Sequence, residues 1–246
     1  MAEQILIVAA HPDDEVIGCG GAIAWHSARG DYVRMIIMAD GVTSRSYNPD
    51  IPVPRAEELL VYQQAIERRK TECRDAASLL GVKKNAVYFL DLADQRLDTY
   101  PFLDLVKHIE KVKGIFSPTL VYTHFFGDLN LDHRLTAQAV LTAFRPRLGT
   151  TAAVKLFEVY ETTRISNQAG YGDFVPDYLL DISPFWELKQ KALSVYVSES
   201  CKYPHFRSVQ ALRERAAFWG ERSGVKYGEA FLTRYAASEE IAYGKR

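Results

Sequence analysis

The chain has 246 residues, of which 48% are hydrophobic and 25% are charged, and its formal net charge is −1 at pH 7. This composition is that of a globular protein and argues against a disordered or fibrous chain. A net charge this close to zero offers no electrostatic basis for binding nucleic acid or an anionic membrane surface.

The predicted elements alternate between strands and helices. Residues 4–10 form a continuous apolar run, which predicts a strand buried on both faces, and a glycine-rich turn at 18–21 precedes a short helix at 22–29. Further strands are predicted at 32–38, 86–90, 119–123, 155–160 and 178–182, and further helices at 55–80, 102–113, 135–144, 186–196 and 209–219. This alternation predicts a Rossmann-like α/β fold, with a mostly parallel sheet and helices on both faces. No repeat, low-complexity tract or linker divides the chain, so we expect a single domain over residues 1–246.

Cysteine usage and the N-terminal segment bear on the cellular compartment. Cys19, Cys73 and Cys201 are odd in number and share no short spacing, so neither a disulfide framework nor a thiolate zinc site is predicted. A reducing compartment is the simpler expectation. The apolar run at residues 5–10 is too short for a signal-peptide core or a membrane span. We therefore expect a soluble, cytoplasmic protein.

Two polar clusters follow predicted strands. Residues 11–15 (HPDDE) come directly after the first strand, and residues 128–134 (DLNLDHR) come shortly after the fourth strand and His124. Ligands in open α/β sheets bind beyond the carboxyl ends of the strands, so both clusters are candidate site segments by position. Together they hold the residue types that bind a catalytic zinc ion, histidine nitrogen and carboxylate oxygen.

The spacing within the first cluster suits a metal site. His11 and Asp14 stand three residues apart on a turn, so both side chains can converge on one ion. His133 from the second cluster would complete a set of three protein ligands, which leaves one coordination position for water. Asp13 would project elsewhere and could contact that water.

Residues 10–15 (AHPDDE), followed by GCGG at 18–21, resemble the signature of the LmbE/PIG-L-like family of zinc-dependent N-acetylsugar deacetylases. Further segments are similar to other blocks of this family in the same order, namely 69–72 (RKTE), 80–81 (LG), 132–134 (DHR) and 227–231 (YGEAF). The resemblance covers nearly the whole chain, and it implies the LmbE-like deacetylase fold.

Carried over position by position, the resemblance implies a role for each matching residue. His11, Asp14 and His133 would bind Zn²⁺, one ion per chain, and Asp13 would be the general base. Asp132 would be a carboxylate that orients a ligand or a neighbouring group. Another divalent metal ion would also suit this nitrogen and oxygen ligand set.

One position departs from the family pattern. Many members carry a histidine three residues before the last metal-binding histidine, where this chain has Asn130. An amide can donate a hydrogen bond to an oxyanion, but it cannot deliver a proton to the leaving amine. His124 could supply that proton, or Asp13 could act first as base and then as acid. The resemblance also places Arg69 and Asp94 where family members contact the substrate or order the pocket.

The expected function is a metal-dependent amide hydrolase that removes the acetyl group from an N-acetylated amino sugar of the N-acetylglucosamine type, or from its conjugate. Two alternatives stay open. One is a zinc-dependent hydratase of a small unsaturated acid on the same scaffold, and the other is a nucleotide-binding module without a metal. The expected partner is a small molecule, with neither nucleic acid nor a membrane, and the resemblance implies that a homo-oligomer can form.

Overall fold

A computed structural model describes residues 2–45, 56–147 and 152–236. Within these ranges seven strands form one sheet, in the order β3-β2-β1-β4-β5-β7-β6. The strands are β1 (Gln4–Ala9), β2 (Tyr32–Ala39), β3 (Val87–Leu92), β4 (Leu120–His124), β5 (Ala153–Phe157), β6 (Tyr178–Asp181) and β7 (Gly228–Tyr235). The first five strands pair in parallel, and β7 runs antiparallel to both β5 and β6. The prediction of a mostly parallel sheet is confirmed.

Helices pack on both faces of the sheet, as predicted. They are α1 (Asp14–Ala28), α2 (Ala56–Leu79), α3 (Phe102–Phe116), α4 (Leu131–Ala143), α5 (Tyr160–Thr163), α6 (Trp186–Val195) and α7 (Val209–Glu221). One apolar core lies between the sheet and α1, α6, α7 and the C-terminal part of α2, and a second lies between the sheet and α3 and α4. Among the described helices, none has the length and apolar character that crossing a membrane requires.

The central strand β1 contributes to both cores. Ile5 and Ile7 point into the first core, whereas Leu6 and Val8 point into the second, and all four are fully buried. The alternation follows from the pleat of a strand, which sends successive side chains to opposite faces. The prediction of a strand buried on both faces is therefore confirmed.

Several predicted boundaries differ from the structure. The first helix begins at Asp14, so the glycine-rich segment 18–21 lies inside α1 and the predicted turn there is wrong. Helix α4 begins at Leu131, four residues before its predicted start. Strand β7 was not predicted, and the predicted strand 155–160 ends at Phe157. The first residue of the predicted helix 55–80 lies outside the described residues.

The glycines of α1 allow the helix to pack closely against the sheet. A Cβ atom on Gly18 would lie 2.1 Å from Cδ2 of Phe157, and one on Gly21 would lie 2.5 Å from Cγ2 of Ile182. Any larger residue would push the helix away from β5 and from the segment after β6. The glycines therefore serve close packing within a helix, which overrides their low intrinsic helix propensity.

A kink at Cys19, where φ is −144°, interrupts the hydrogen-bond ladder of α1. The N–H groups of residues 21 and 22 donate to the two carboxylate oxygens of Glu229, each at 2.7 Å. Lys189 Nζ donates to the carbonyl oxygen of Ile17 at 2.9 Å and to Glu229 at 2.7 Å. A buried ion pair thus satisfies the backbone groups that the kink leaves open, which would otherwise cost free energy in the core.

Replacing Gly18 with alanine is expected to lower the free energy of unfolding by about 1–3 kcal/mol, because the new methyl group would overlap the ring of Phe157. Gly114 on α3 provides a matched control, since a Cβ atom there would meet open space. Gly114→Ala is expected to be neutral or to stabilise the protein by up to about 1 kcal/mol. Thermal or urea unfolding measures both changes, and equal effects of the two substitutions would contradict the close approach.

Candidate metal and catalytic site

The candidate site lies at the carboxyl ends of β1 and β4, which pair in parallel at the centre of the sheet. The turn that leaves β1 carries His11 and Asp13 and leads directly into α1. Beyond β4, the side chain of Asn130 caps the N-terminus of α4 by accepting from the N–H groups of residues 132 and 133, at 2.9 and 3.4 Å. The cap fixes His133 on the first turn of α4, facing the first cluster.

The three residues predicted to bind a metal ion come together around one carboxylate. Asp14 Oδ2 lies 3.1 Å from His11 Nδ1 and 3.2 Å from His133 Nε2. One ligand atom from each residue lies within 4.8 Å of the others, and all three residues are buried. Two imidazole nitrogens and one carboxylate oxygen in this arrangement are a donor set for a divalent metal ion.

The far side of the His11 ring faces two further carboxylates. His11 Nε2 lies 3.0 Å from Asp94 Oδ1 and 3.2 Å from Asp132 Oδ2. Asp132 is itself fixed, because its two oxygens accept the N–H groups of residues 95 and 97, at 2.8 and 3.1 Å. Metal-binding histidines commonly donate their second ring nitrogen to such a carboxylate, which sets the orientation of the ring.

His133 has the same kind of partner on the opposite side. Its Nδ1 lies 3.2 Å from Asp128 Oδ1, while its Nε2 faces Asp14. Asp128 accepts a hydrogen bond from the hydroxyl of Thr163, on the short helix α5. Each histidine therefore presents one nitrogen to the shared Asp14 and the other to a separate buried carboxylate.

The charges of these groups fit a bound cation. Burial alone would lower the pKa of His133, but the attraction of Asp14 and Asp128 raises it to about 9. Burial acts in the same direction on His11, and the surrounding aspartates raise its pKa well above the usual value. Burial would raise the pKa of Asp14, yet the attraction of His133 and hydrogen bonds from both histidines hold it well below its usual range. The four buried carboxylates of Asp14, Asp94, Asp128 and Asp132 therefore favour a positive charge between them. A bound metal ion would displace protons from the two histidines.

The described residues also contain a second group of potential ligands, formed by His11, Asp94 and Asp132. It uses the other nitrogen of His11, so one ring takes part in both groups. The oxygens of Asp132 already accept two backbone N–H groups. The group around Asp14 is the better donor set, because it holds two imidazoles and Asp94 and Asp132 are placed to orient one of them.

Asp13 adopts a strained backbone conformation beside the group formed by His11, Asp14 and His133. Its φ is 113°, in a region that non-glycine residues rarely adopt and that costs on the order of 1–3 kcal/mol. Its N–H donates to Glu15 Oε2 at 2.9 Å, and Arg69 Nη2 donates to the carbonyl of Pro12 just before it. Strain of this kind, held in place by neighbouring contacts, is found at functional sites.

The carboxylate of Asp13 lies between two arginines. Arg207 Nη2 donates to Oδ2, while Arg69 Nη2 lies 3.6 Å from Oδ1, beyond hydrogen-bond distance. Burial raises the pKa of Asp13, and the attraction of Arg207 and Arg69 offsets only part of that effect. Oδ1 is therefore the oxygen left to accept a proton from a nearby group.

His124 is buried against His133 and Asp14, but its hydrogen bonding does not favour a role as proton donor to the leaving amine. Its Nε2 accepts the N–H of Ala10 at 2.8 Å, so that nitrogen carries no proton. Burial and the proximity of His133, on which it stacks with ring centroids 4.1 Å apart, hold its pKa well below the usual value. These contacts do not favour an imidazolium at His124 as the proton donor to the leaving amine, and that role stays a prediction. The ring contacts the Ala10 backbone and stacks on the His133 ring.

Arg69 and Asp94, predicted to contact substrate, both touch other site residues. Arg69 is buried on α2, and besides its contact with Pro12 its Nη1 lies 3.1 Å from Glu199 Oε1. Asp94 accepts the hydroxyl of Ser44 in addition to facing His11. These contacts hold the pocket together, and substrate contact by either residue stays a prediction.

Sequence reasoning missed Arg207 and the role of Asp128. Arg207 lies in the loop before α7, 194 residues from Asp13 along the chain, and no motif marks it. Asp128 belongs to the second predicted cluster, but its contact with His133 depends on the helix start at Leu131. Only the fold brings either residue to the site.

The sequence matches the family described as "PIG-L: GlcNAc-PI de-N-acetylase" over residues 6–144. It is 27% identical over 237 residues to diacetylchitobiose deacetylase of Thermococcus kodakarensis, covering 92% of this chain and 81% of that protein. It is 26% identical over 233 residues to 4-oxalmesaconate hydratase of Pseudomonas putida, covering 86% of this chain and 82% of that protein. The solved structure of N,N'-diacetylchitobiose deacetylase from Pyrococcus horikoshii, in complex with an inhibitor, superposes with a TM-score of 0.72 at 26% identity, over 99% of this chain and 88% of that one.

Proposed function

The chain belongs to the PIG-L (LmbE-like) family, and from that premise we propose that it is a metal-dependent N-deacetylase of a small N-acetylated amino sugar or its conjugate. The observation that carries the proposal is the buried group of His11, Asp14 and His133 with Asp13 beside it. The deacetylase relatives supply the reaction type, and the donor set supports the metal dependence. Zinc is the proposed ion because it favours two histidines and one carboxylate with an open position.

In this proposal His11, Asp14 and His133 hold the ion. When bound, the ion would lower the pKa of a coordinated water and polarise the amide carbonyl. Asp94 and Asp132 orient the ring of His11, and Asp128 orients that of His133, so each ring is directed toward Asp14 by contacts on its other side.

Asp13 is the proposed general base. Burial raises the pKa of its carboxylate, and a base with a pKa closer to the working pH is a better proton acceptor. Its Oδ1 accepts a proton from the attacking water as the water oxygen bonds to the amide carbon. Its Oδ2 meanwhile stays hydrogen-bonded to Arg207. An N-acetyl amide resists hydrolysis because water is a weak nucleophile, and this step addresses that barrier.

The leaving nitrogen needs a proton before the C–N bond breaks. Because His124 is held as a neutral acceptor, we assign the return of the proton to Asp13, which acts first as base and then as acid. Acetate and a free amine are the products, and Asp13 regains its starting charge. Asn130 could donate a hydrogen bond from Nδ2 to the developing oxyanion, since its Oδ1 is occupied by the helix cap and its Nδ2 bonds to no other described residue.

A hydratase is the second candidate function. The Pseudomonas putida relative named as a hydratase aligns with 86% of this chain, nearly as much as the deacetylase relative does. The residue that departs from the deacetylase pattern, Asn130, caps the helix that carries His133. Adding water to an unsaturated acid would use the same base at Asp13 but would release no amine, so the two reactions differ in their products.

The deciding experiment measures products from zinc-loaded protein. The substrates are N-acetylglucosamine, N,N'-diacetylchitobiose, a nucleotide-linked N-acetylglucosamine and 4-oxalmesaconate. We expect acetate and free amine in equal amounts from at least one of the three sugars, with protein stripped of metal by a chelator as the control. Loss of the unsaturated acid without acetate from any sugar would replace the proposal with the hydratase. The absence of both reactions would overturn both.

A further inference from the structure

Arg207 lies among the acidic groups that surround the proposed base. Its Nη2 donates to Asp13 Oδ2, its Nη1 lies 3.6 Å from Glu199 Oε2, and its Nε lies 3.7 Å from Glu161 Oε2. About 24% of the side chain is exposed, whereas the side chain of Arg69 is only 3% exposed. Arg207 is therefore a partly accessible cation whose direct hydrogen bond is made to the base.

The two arginines hold different parts of the same residue. Arg69 donates to the carbonyl of Pro12 and so fixes the backbone that enters Asp13. Arg207 binds the carboxylate itself and occupies Oδ2, which determines the direction in which Oδ1 points. Among the described residues, no other side chain donates a hydrogen bond to this carboxylate. Without Arg207 the buried charge would lack its direct partner, and the side chain would be free to rotate.

The loop that carries Arg207 is anchored at its C-terminal end. Ser208 caps α7 by accepting the N–H of residue 211 at 3.2 Å, so Arg207 directly precedes a rigid helix. Before the loop, Glu199 lies 2.7 Å from Arg45 Nη2 and 3.1 Å from Arg69 Nη1, which links the loop to α2 and to the segment after β2. These contacts give Arg207 a defined position relative to Asp13.

We propose that Arg207 is a positioning residue that orients Asp13 Oδ1 toward the attacking water, and that it therefore affects kcat rather than KM. The proposal rests on the proposed role of Asp13 as base. Arg207 lies outside residues 6–144, the part that matches the family model, so its contact with Asp13 joins that part to the C-terminal part of the chain. A role in blocking the base is less consistent with the geometry, because Oδ1 is left open while Oδ2 is bound.

The kinetic test compares zinc-loaded wild type, Arg207→Ala and Arg207→Lys on whichever substrate of the panel the wild type turns over. A misoriented base is expected to lower kcat of Arg207→Ala by about 100-fold, with KM changed by less than about threefold. Arg207→Lys is expected to recover about tenfold of that loss, because the ammonium restores the charge without the planar fork. Added guanidinium ion at millimolar concentration should restore part of kcat in Arg207→Ala alone.

Arg213→Ala is the matched control. Arg213 lies on α7, a short distance after the same loop, and its Nε donates to the hydroxyl of Tyr227 at 2.7 Å. It makes no contact with Asp13, so its removal should leave kcat within about twofold of wild type. Metal content and the midpoint of thermal unfolding are recorded for every variant, so that loss of zinc or of the fold is separated from loss of the base.

A second measurement needs neither substrate nor zinc. The loop amides at 205 and 208 donate to carbonyls within the loop, and the amide of Arg207 donates to His205 Nδ1. If the contact with Asp13 holds the loop, Arg207→Ala and Asp13→Ala should each speed hydrogen exchange of these amides by about tenfold, and the double variant should show no further increase.

Four results would overturn the proposal. Wild-type kcat in Arg207→Ala would show that the contact is incidental, and a higher kcat would show that Arg207 blocks the base. A loss confined to KM would make Arg207 a substrate-binding residue. If the wild type released no acetate but hydrated the unsaturated acid, the same comparison on that reaction would test Arg207 while the deacetylase assignment fell. A wild type without either activity would overturn both proposals.

Discussion

Replacing Asp13 with asparagine is expected to lower acetate release by roughly 100- to 10,000-fold while the metal stays bound. The asparagine amide cannot take a proton from water or return one to the leaving nitrogen. It is close in shape to aspartate, and asparagine is among the residues that best tolerate a positive φ, such as the 113° found here. The substitution should therefore remove the chemistry without removing the fold.

The control for this substitution is Asp31→Asn. The side chain of Asp31 is also buried and pairs with His26 at 2.7 Å, but Asp31 precedes β2 and so lies near the amino ends of the strands, opposite the candidate site. The Asp31→Asn substitution should change the midpoint of thermal unfolding without changing kcat. Zinc content by elemental analysis and acetate release are measured for both variants. An Asp13→Asn protein with wild-type activity would remove Asp13 from the mechanism, and one without zinc would make it a ligand.

That His11, Asp14 and His133 come together could be predicted because much of the information is local in the sequence. His11 and Asp14 are three residues apart at the end of an apolar run, so the turn after one strand brings them together. His133 needs more, since its position depends on β4 pairing beside β1. In a parallel sheet the carboxyl ends of neighbouring strands share one edge, which is why two polar clusters after strands could be assigned to one site.

Features that depend on distant contacts could not be predicted. Strand β7 shows no clear alternation of apolar and polar residues, and its place between β5 and β6 is set by pairing with segments far away in sequence. The sequence alone favours a turn at the glycine-rich segment, because the side chains that pack where Cβ atoms are missing, such as Phe157, are remote in sequence. The protonation of His124 depends on a single hydrogen bond from Ala10, 114 residues away.

The contact between Arg207 and Asp13 also depends on residues that are distant in sequence, so it could not be predicted either. Arginines are frequent on solvated surfaces, and no local pattern separates Arg207 from the others in its region. Its partner is identified only when α6 and α7 bring the intervening loop over the turn after β1. Residues 6–144 thus contain the proposed ligands and the proposed base, whereas the arginine that we propose orients that base comes from the remainder of the chain.

Replacing His133 with asparagine is expected to weaken zinc binding by more than about 100-fold and to abolish activity with it. The variant loses one of the three donors around Asp14, and a remaining pair holds a divalent ion poorly. Asp128→Asn offers a graded comparison, because Asp128 contacts only the far nitrogen of His133. Replacing a residue that orients a metal ligand in this way usually weakens metal affinity by about 10- to 100-fold. Competition with a chromophoric chelator measures both affinities, and His26→Asn, a buried histidine away from the site, should bind zinc as the wild type does.

The two potential ligand groups predict opposite effects of two substitutions on zinc binding. Measuring zinc affinity in both variants therefore shows which group holds the ion. His11 belongs to both groups, so its removal cannot tell them apart. If the ion sits with Asp14, His133→Asn loses it and Asp94→Asn only weakens it, by roughly 10- to 100-fold, through a less firmly oriented His11. If the ion sits with Asp132, the order reverses and His133→Asn keeps near-stoichiometric zinc. We expect the first order, because the group around Asp14 offers two imidazole nitrogens as donors, and each of these rings contacts a further carboxylate through its other nitrogen.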